Sequence, residues 1–145
     1  MQTLVTFVFK FLVALPLAWL HKLGNLLGSL GFRLLSKDRR RVFENMTLAG
    51  LNPTDEAVKK VFRETAKGGL ELPVAFFRRP EEIENLFVSV NGWEHVQTAL
   101  SAGEGLLFIT PHIGSYDLAG RYISQQLPFP LTAMYKPPKI KAFDA

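Results

Sequence analysis

The chain has 145 residues, enough for one domain with its own core but too few for two complete domains. Hydrophobic residues make up 48% of it, a high share for a soluble protein, and the net charge of +4 suits anionic lipid, nucleic acid or an acidic protein. The absence of cysteine excludes disulfides, a cysteine nucleophile and cysteine metal ligands.

Residues 1–35 are predicted to form a membrane-embedded helical anchor. Residues 3–20 contain one charge and one proline over about the shortest length that spans hydrocarbon. A second apolar stretch at 23–35 is interrupted by three glycines, so the two together are compatible with one long, kinked or tilted helix. The basic cluster at 39–41 favours the cytoplasmic side. A signal peptide and a core helix of a soluble protein are the competing interpretations.

Residues 36–145 are predicted to form the N-terminal part of a single α/β domain. Hydrophobic spacing and capping residues predict helices at 37–50, 55–77, 93–100 and 115–126. Gly68, Gly69 and Pro73 are expected to kink or divide the second of these. Apolar runs between turn residues predict strands at 86–90, 105–110 and 131–135. Strands that alternate with helices are typical of a parallel sheet.

The chemistry-bearing pattern is a histidine followed five residues later by a carboxylate. His112 comes at the carboxyl end of the predicted strand 105–110, the edge of an open α/β sheet where ligands bind. A chain reversal at Gly114 would bring Asp117 back toward the imidazole, fix its tautomer and leave the other nitrogen as a general base. The alternative is structural: a histidine capping a helix whose dipole Asp117 complements.

Four segments resemble the lipid A biosynthesis late acyltransferases, which add lauroyl or myristoyl chains: ITPHIGSYDLAGRYI, VNGWEHVQTALSAGEGLLF, RRRVFENMTLAG and LTAMYKPPK. The resemblance covers essentially the whole chain and implies a glycerol-phosphate-acyltransferase-like parallel-sheet domain behind an N-terminal membrane helix. It implies acyl transfer from acyl-acyl carrier protein to a hydroxyl of a lipid A precursor, with His112 as base, Asp117 orienting it, and no cofactor or metal. The implied location is the bacterial inner membrane, with the catalytic part on its cytoplasmic side.

Two basic residues are weaker candidates for substrate binding. Lys136 stands where members of this family often carry a basic residue, and it is predicted to contact a substrate phosphate. Arg121 lies one helical turn beyond Asp117 and is predicted to face the same cleft. A solvated surface position is the alternative for each.

Family members are longer than this chain, so the resemblance implies a truncated domain that is inactive or very weak alone. Two other functions stay open: a glycerophospholipid or lysophospholipid acyltransferase, which shares the motif, and a non-enzymatic membrane-associated module with a structural His112. Nucleic-acid binding is disfavoured, because the basic residues flank an apolar segment and are not interleaved with stacking aromatics.

Overall fold

The computed structural model describes the backbone of residues 2–134 and the side chains of residues 7–134. The described residues form seven α-helices: α1 (Gln2–Ala14), α2 (Leu17–Leu34), α3 (Ser36–Leu48), α4 (Asp55–Phe77), α5 (Pro80–Glu84), α6 (Trp93–Ser101) and α7 (Tyr116–Gln126). Helices α3, α4, α6 and α7 confirm the four predicted from the sequence. Helix α4 runs unbroken through Gly68, Gly69 and Pro73, so the predicted division of this helix is wrong.

The predicted α/β fold with a parallel sheet is wrong, because the described residues contain no strand. A strand exists only when its backbone groups bond to a neighbouring strand, and neither 86–90 nor 105–110 has one. The side chains of Val88, Leu107 and Ile109 are at least 85% exposed, so no facing layer covers them. The third predicted strand is irregular over 131–134, and its last residue lies outside the described residues.

The predicted single N-terminal membrane helix is also wrong. Helix α1 ends before Pro16, and α2 leaves at a different angle. Among the described residues no one helix is long and apolar enough to cross a bilayer; by length and composition alone, only Phe7–Ala14 and Leu17–Leu34 together reach that standard, as a pair bent by 118°. The domain boundary placed at residue 35 stays a prediction.

The end of α1 is tied to the rest of the protein by Arg78, which follows α4. Its Nε donates to the carbonyl oxygen of Val13 at 3.2 Å, and its Nη2 donates to that of Leu15 at 2.6 Å. Carbonyl groups at the end of a helix have no partner within the helix, and a guanidinium with several donors satisfies two of them here. This bond pair holds the bend between α1 and α2.

Helix α4 lies at the centre and packs against α1, α2, α3 and α7. Its first turn is capped by Thr54, whose hydroxyl accepts from the Ala57 amide at 3.2 Å. Its C-terminal half supplies Val74 and Ala75 to a small core where α2, α4, α5 and α7 meet. The other buried members of that core are Leu20, Ile83 and Leu118.

Helices α2 and α4 form a close antiparallel pair. A Cβ built on Gly24 would lie 2.9 Å from the Lys67 Cα, and one built on Gly28 would lie 2.6 Å from the Phe62 carbonyl oxygen. Real Cβ atoms do not come so near backbone atoms, so the two glycines are what lets the helix backbones touch. The spacing of these glycines places both on the side of α2 that faces α4.

Polar bonds fix the register of the same pair. The Nε2 atom of His21 lies 2.5 Å from the Oε1 atom of Glu71, whose side chain is buried. One end of the interface is thus held by a buried carboxylate. About two turns further along, the Arg63 Nε donates to the Ser29 hydroxyl at 2.9 Å. A shift of one helix along the other would leave the Glu71 carboxylate buried without a partner. The desolvation cost of such an unpaired group exceeds the stabilisation that a typical hydrogen bond contributes.

We expect Gly28→Ala to lower the free energy of unfolding by about 1–3 kcal/mol, because the added methyl must push α2 away from α4. Gly68→Ala is the matched control: it lies inside α4 with nothing within 4 Å of an added Cβ. That control should gain about 0.5–1 kcal/mol from helix propensity. Denaturant unfolding followed by helical circular dichroism measures both, and equal stability of the two variants would contradict the close contact.

Candidate active site

His112 lies in a tight turn that precedes α7. The Ile113 amide donates to the Pro111 carbonyl oxygen at 2.8 Å, which makes His112 the central residue of a three-residue γ-turn. Its φ is not positive, so the turn is the common inverse form. The predicted placement at the end of a strand is wrong, since 105–110 forms no strand. The turn presents the imidazole to solvent.

Gly114 reverses the chain between the histidine and the helix, as the sequence predicted. Its φ is +64°, a left-handed conformation that side chains with a Cβ adopt at a cost. The chain then enters α7, whose first helical bond runs from the Ala119 amide to the Ser115 carbonyl oxygen at 3.1 Å. Asp117 is the second residue of the helix, so its carboxylate stands near the unpaired amides of the first turn.

The core holds α7, and with it Asp117, in place. Leu118 is buried against α4 and α5. One turn later the ring of Tyr122 packs on Phe87, with 4.3 Å between ring centroids. Because Leu118 and Tyr122 are four residues apart, they share one face of the helix and fix its rotation. The adjacent face, which carries Asp117 and Arg121, is thereby directed away from the centre of the core.

His112 and Asp117 interact electrostatically but form no hydrogen bond in the part of the chain that the structure describes. Burial raises the pKa of Asp117 above its ordinary value near 3.8, and the charge of His112 lowers it in part. The carboxylate is half-buried while the imidazole is exposed. The charge of His112 therefore acts on the Asp117 carboxyl group, although no hydrogen bond joins the two side chains among the described residues.

Tyr116 is a neighbour of His112 that sequence reasoning missed. The two ring centroids are 4.3 Å apart and the planes are inclined by 52°. Aromatic pairs at such distances contribute about 0.5–1.5 kcal/mol beyond the area that they bury. The only hint in the sequence was that His112 and Tyr116 are four residues apart. Side chains in a γ-turn followed by the start of a helix have no fixed relative geometry, so this contact could not be predicted from the spacing.

The two weaker candidates have different outcomes. Arg121 is exposed and forms no ion pair among the described residues, so its substrate role stays a prediction. Lys136 lies outside the described residues. Within residues that the structure covers, no three His, Asp or Glu side chains converge on a point that would hold a metal ion.

We expect Asp117→Asn to stabilise the fold at neutral pH. A carboxyl whose folded pKa is raised gives full stability below its ordinary pKa and loses it as pH rises through the folded value. The gain over the unsubstituted protein should therefore grow as pH rises from about 3.8 and vanish below it. Thermal unfolding across this range tests the sign.

Asp55→Asn is the control for that measurement. Asp55 is an exposed carboxylate in the first turn of α4, where its charge favours the helix dipole, so its removal should destabilise the fold at neutral pH. An Asp117→Asn variant that behaves in the same way would mean that burial does not dominate at Asp117.

Comparison with known proteins identifies the family. A family model described as bacterial lipid A biosynthesis acyltransferase matches residues 1–145. Searches of curated proteins and of solved structures gave no match to this chain. The family match covers the turn with His112, the start of α7 and the whole helical scaffold, and it confirms the resemblance found in the sequence. The chain belongs to the bacterial lipid A biosynthesis acyltransferases.

Proposed function

We propose that this acyltransferase moves a fatty acyl chain from acyl-acyl carrier protein to a hydroxyl of a lipid A precursor, with His112 as the general base. The observation that supports the roles is the pairing of an exposed imidazole with a half-buried carboxylate five residues on, close enough for the histidine charge to affect the pKa of Asp117. The family fixes the reaction class.

The proposed step conserves protons and bonds. A neutral nitrogen of His112 takes the proton of the acceptor hydroxyl while its oxygen attacks the thioester carbonyl carbon. The carbon–sulfur bond then breaks, and the carrier-protein thiolate leaves and recovers the proton from the imidazolium. Asp117 stabilises the transient imidazolium, and no protein nucleophile is needed. General-base assistance of this kind contributes on the order of 10² to 10⁴-fold in rate.

The partners and location belong to the same proposal. Both substrates carry long acyl chains, and α1 and α2 expose large apolar side chains that suit a lipid surface, among them Phe7, Phe11, Trp19 and Leu26. The chain has no acidic residue before Asp38, which suits anionic membrane lipids. We place the enzyme at the bacterial inner membrane, with His112 on the cytoplasmic side where acyl-acyl carrier protein is made.

His112→Ala should lower acyl transfer by about 10²-fold or more, because the proton acceptor is lost. The assay follows transfer from acyl-acyl carrier protein to a tetra-acylated lipid A precursor, in membranes with this chain and with a version extended to family length. His95→Ala is the matched control: His95 is an exposed histidine in α6 whose nearest charged partner, Glu94, is 3.9 Å away. It should retain full transfer.

The acceptor is tested in the same assay with a lysophospholipid in place of the lipid A precursor. Transfer to the lysophospholipid alone would keep the chemistry and overturn the acceptor. In the version extended to family length, no difference between His112→Ala and His95→Ala would overturn the catalytic role and favour a structural histidine.

Tyr116→Ala should lower kcat several-fold with little change in KM, since the imidazole loses the ring that restricts its rotation. Tyr116→Phe keeps that ring and should restore kcat. The NMR signal of the His112 ring protons gives a readout independent of activity: a ring-current shift should be present with tyrosine or phenylalanine and absent with alanine. Equal signals in all three proteins would contradict the contact.

A further inference from the structure

Helix α2 has two separate apolar faces. One face carries Leu20, Gly24 and Gly28, which pack against α4. The other face carries four large side chains spaced seven, four and four residues apart, so that they form one row along the helix. The row consists of Trp19, Leu26, Leu30 and Leu34, which are 64, 66, 48 and 68% exposed. We call these four residues the outer row.

We propose that the outer row of α2 binds an anionic phospholipid membrane with the helix axis parallel to the membrane plane. The inference deepens the membrane location proposed above, because it names the surface, the orientation and the lipid charge. An in-plane helix buries an apolar face at the headgroup boundary and keeps basic side chains along its edge. The partner is the lipid surface itself.

The packing of α4 on α2 favours an orientation of α2 in the membrane plane. The antiparallel pair places a run of ionisable α4 residues beside the inner face of α2, from Arg63 and Lys67 to Glu71. If α2 crossed the bilayer, α4 would enter with it, and each charged side chain in hydrocarbon costs several kcal/mol. With α2 in the plane, α4 stays on the aqueous side and only the outer row enters lipid.

The basic residues of α2 support the same orientation. Lys22 and Arg33 are both exposed, and their spacing from the outer row places them along one edge of it. They are eleven residues apart, or roughly 16 Å along the axis. With the helix in the membrane plane, both side chains reach lipid phosphate groups at the same time. In a helix that spans the membrane, they would lie at different depths. Helix α2 has no acidic residue to repel an anionic surface.

Depth measurement separates the two orientations. The chain has no cysteine, so single cysteines introduced as Leu26→Cys, Leu30→Cys and Leu34→Cys can each carry an environment-sensitive fluorophore. Phosphatidylglycerol vesicles with quenchers at shallow and deep positions report the depth of each label. We expect all three at one shallow depth, whereas a spanning helix would separate the first and last by roughly 12 Å.

Asn25→Cys is the control on the same helix. Asn25 is exposed but lies off the outer row, so its label should stay in water. Graded depths from Leu26 to Leu34 would overturn the in-plane orientation. If labels on the outer row stayed in water, or if a label at Asn25 were buried as deeply, the proposal that the outer row contacts lipid would be overturned.

The charge requirement is tested by vesicle binding of the unlabelled protein. Lys22→Gln and Arg33→Gln should each weaken binding to phosphatidylglycerol vesicles about 5-fold and leave binding to phosphatidylcholine vesicles unchanged. Lys60→Gln, an exposed lysine of α4, is the control and should bind normally. An equal loss of vesicle binding in all three variants would overturn the specific role of Lys22 and Arg33. These measurements use no substrate, so they can fail while the proposed acyl transfer stands, and the reverse also holds.

Discussion

The contact between α2 and α4 is the constraint on which the rest of the structure depends. Gly24 and Gly28 let two helix backbones meet, and the His21–Glu71 and Ser29–Arg63 bonds fix their register. Once α4 is placed, its last turns carry Val74 and Ala75 into the core on which α5 and α7 pack. The position of α7, and so of Asp117, follows from a contact made by another pair of helices.

The same contact gives α2 its double role. Its inner face packs against α4, and its outer face is also apolar. In water, this outer face would expose a row of large apolar side chains to solvent. Among the described residues, few are fully buried, and many large apolar side chains of α1 and α2 face outward. A scaffold so built is suited to a lipid surface, where an outward apolar face is stabilising.

In the candidate site, the Asp117 carboxylate is held where its charge is destabilised by burial. Asp117 is held half-buried beside the buried Leu118, where its carboxylate is less stable than in water and its pKa is raised. A neighbouring positive charge relieves that penalty, which is what an imidazolium formed during acyl transfer would supply. His112 is exposed and packs against Tyr116, and in the proposed reaction it accepts the proton of the incoming hydroxyl. In the proposed mechanism, the pair carries a positive charge only while the acyl group is transferred.

The sequence by itself determined the features that depend on local chemistry. Capping by Thr54 and the left-handed turn at Gly114 are set within a few residues. The helices α4 and α7 and the chain reversal at Gly114 formed as predicted. The family resemblance was also legible in contiguous segments. Only the tertiary structure decided the rest. The run 105–110 has the composition of a strand, but a strand needs a partner that composition does not supply. The pairing of α2 with α4, and the Arg78 bonds that hold the bend after α1, join residues far apart in sequence, which no local pattern encodes. The contact of Tyr116 with His112 depends on the geometry of the turn before α7.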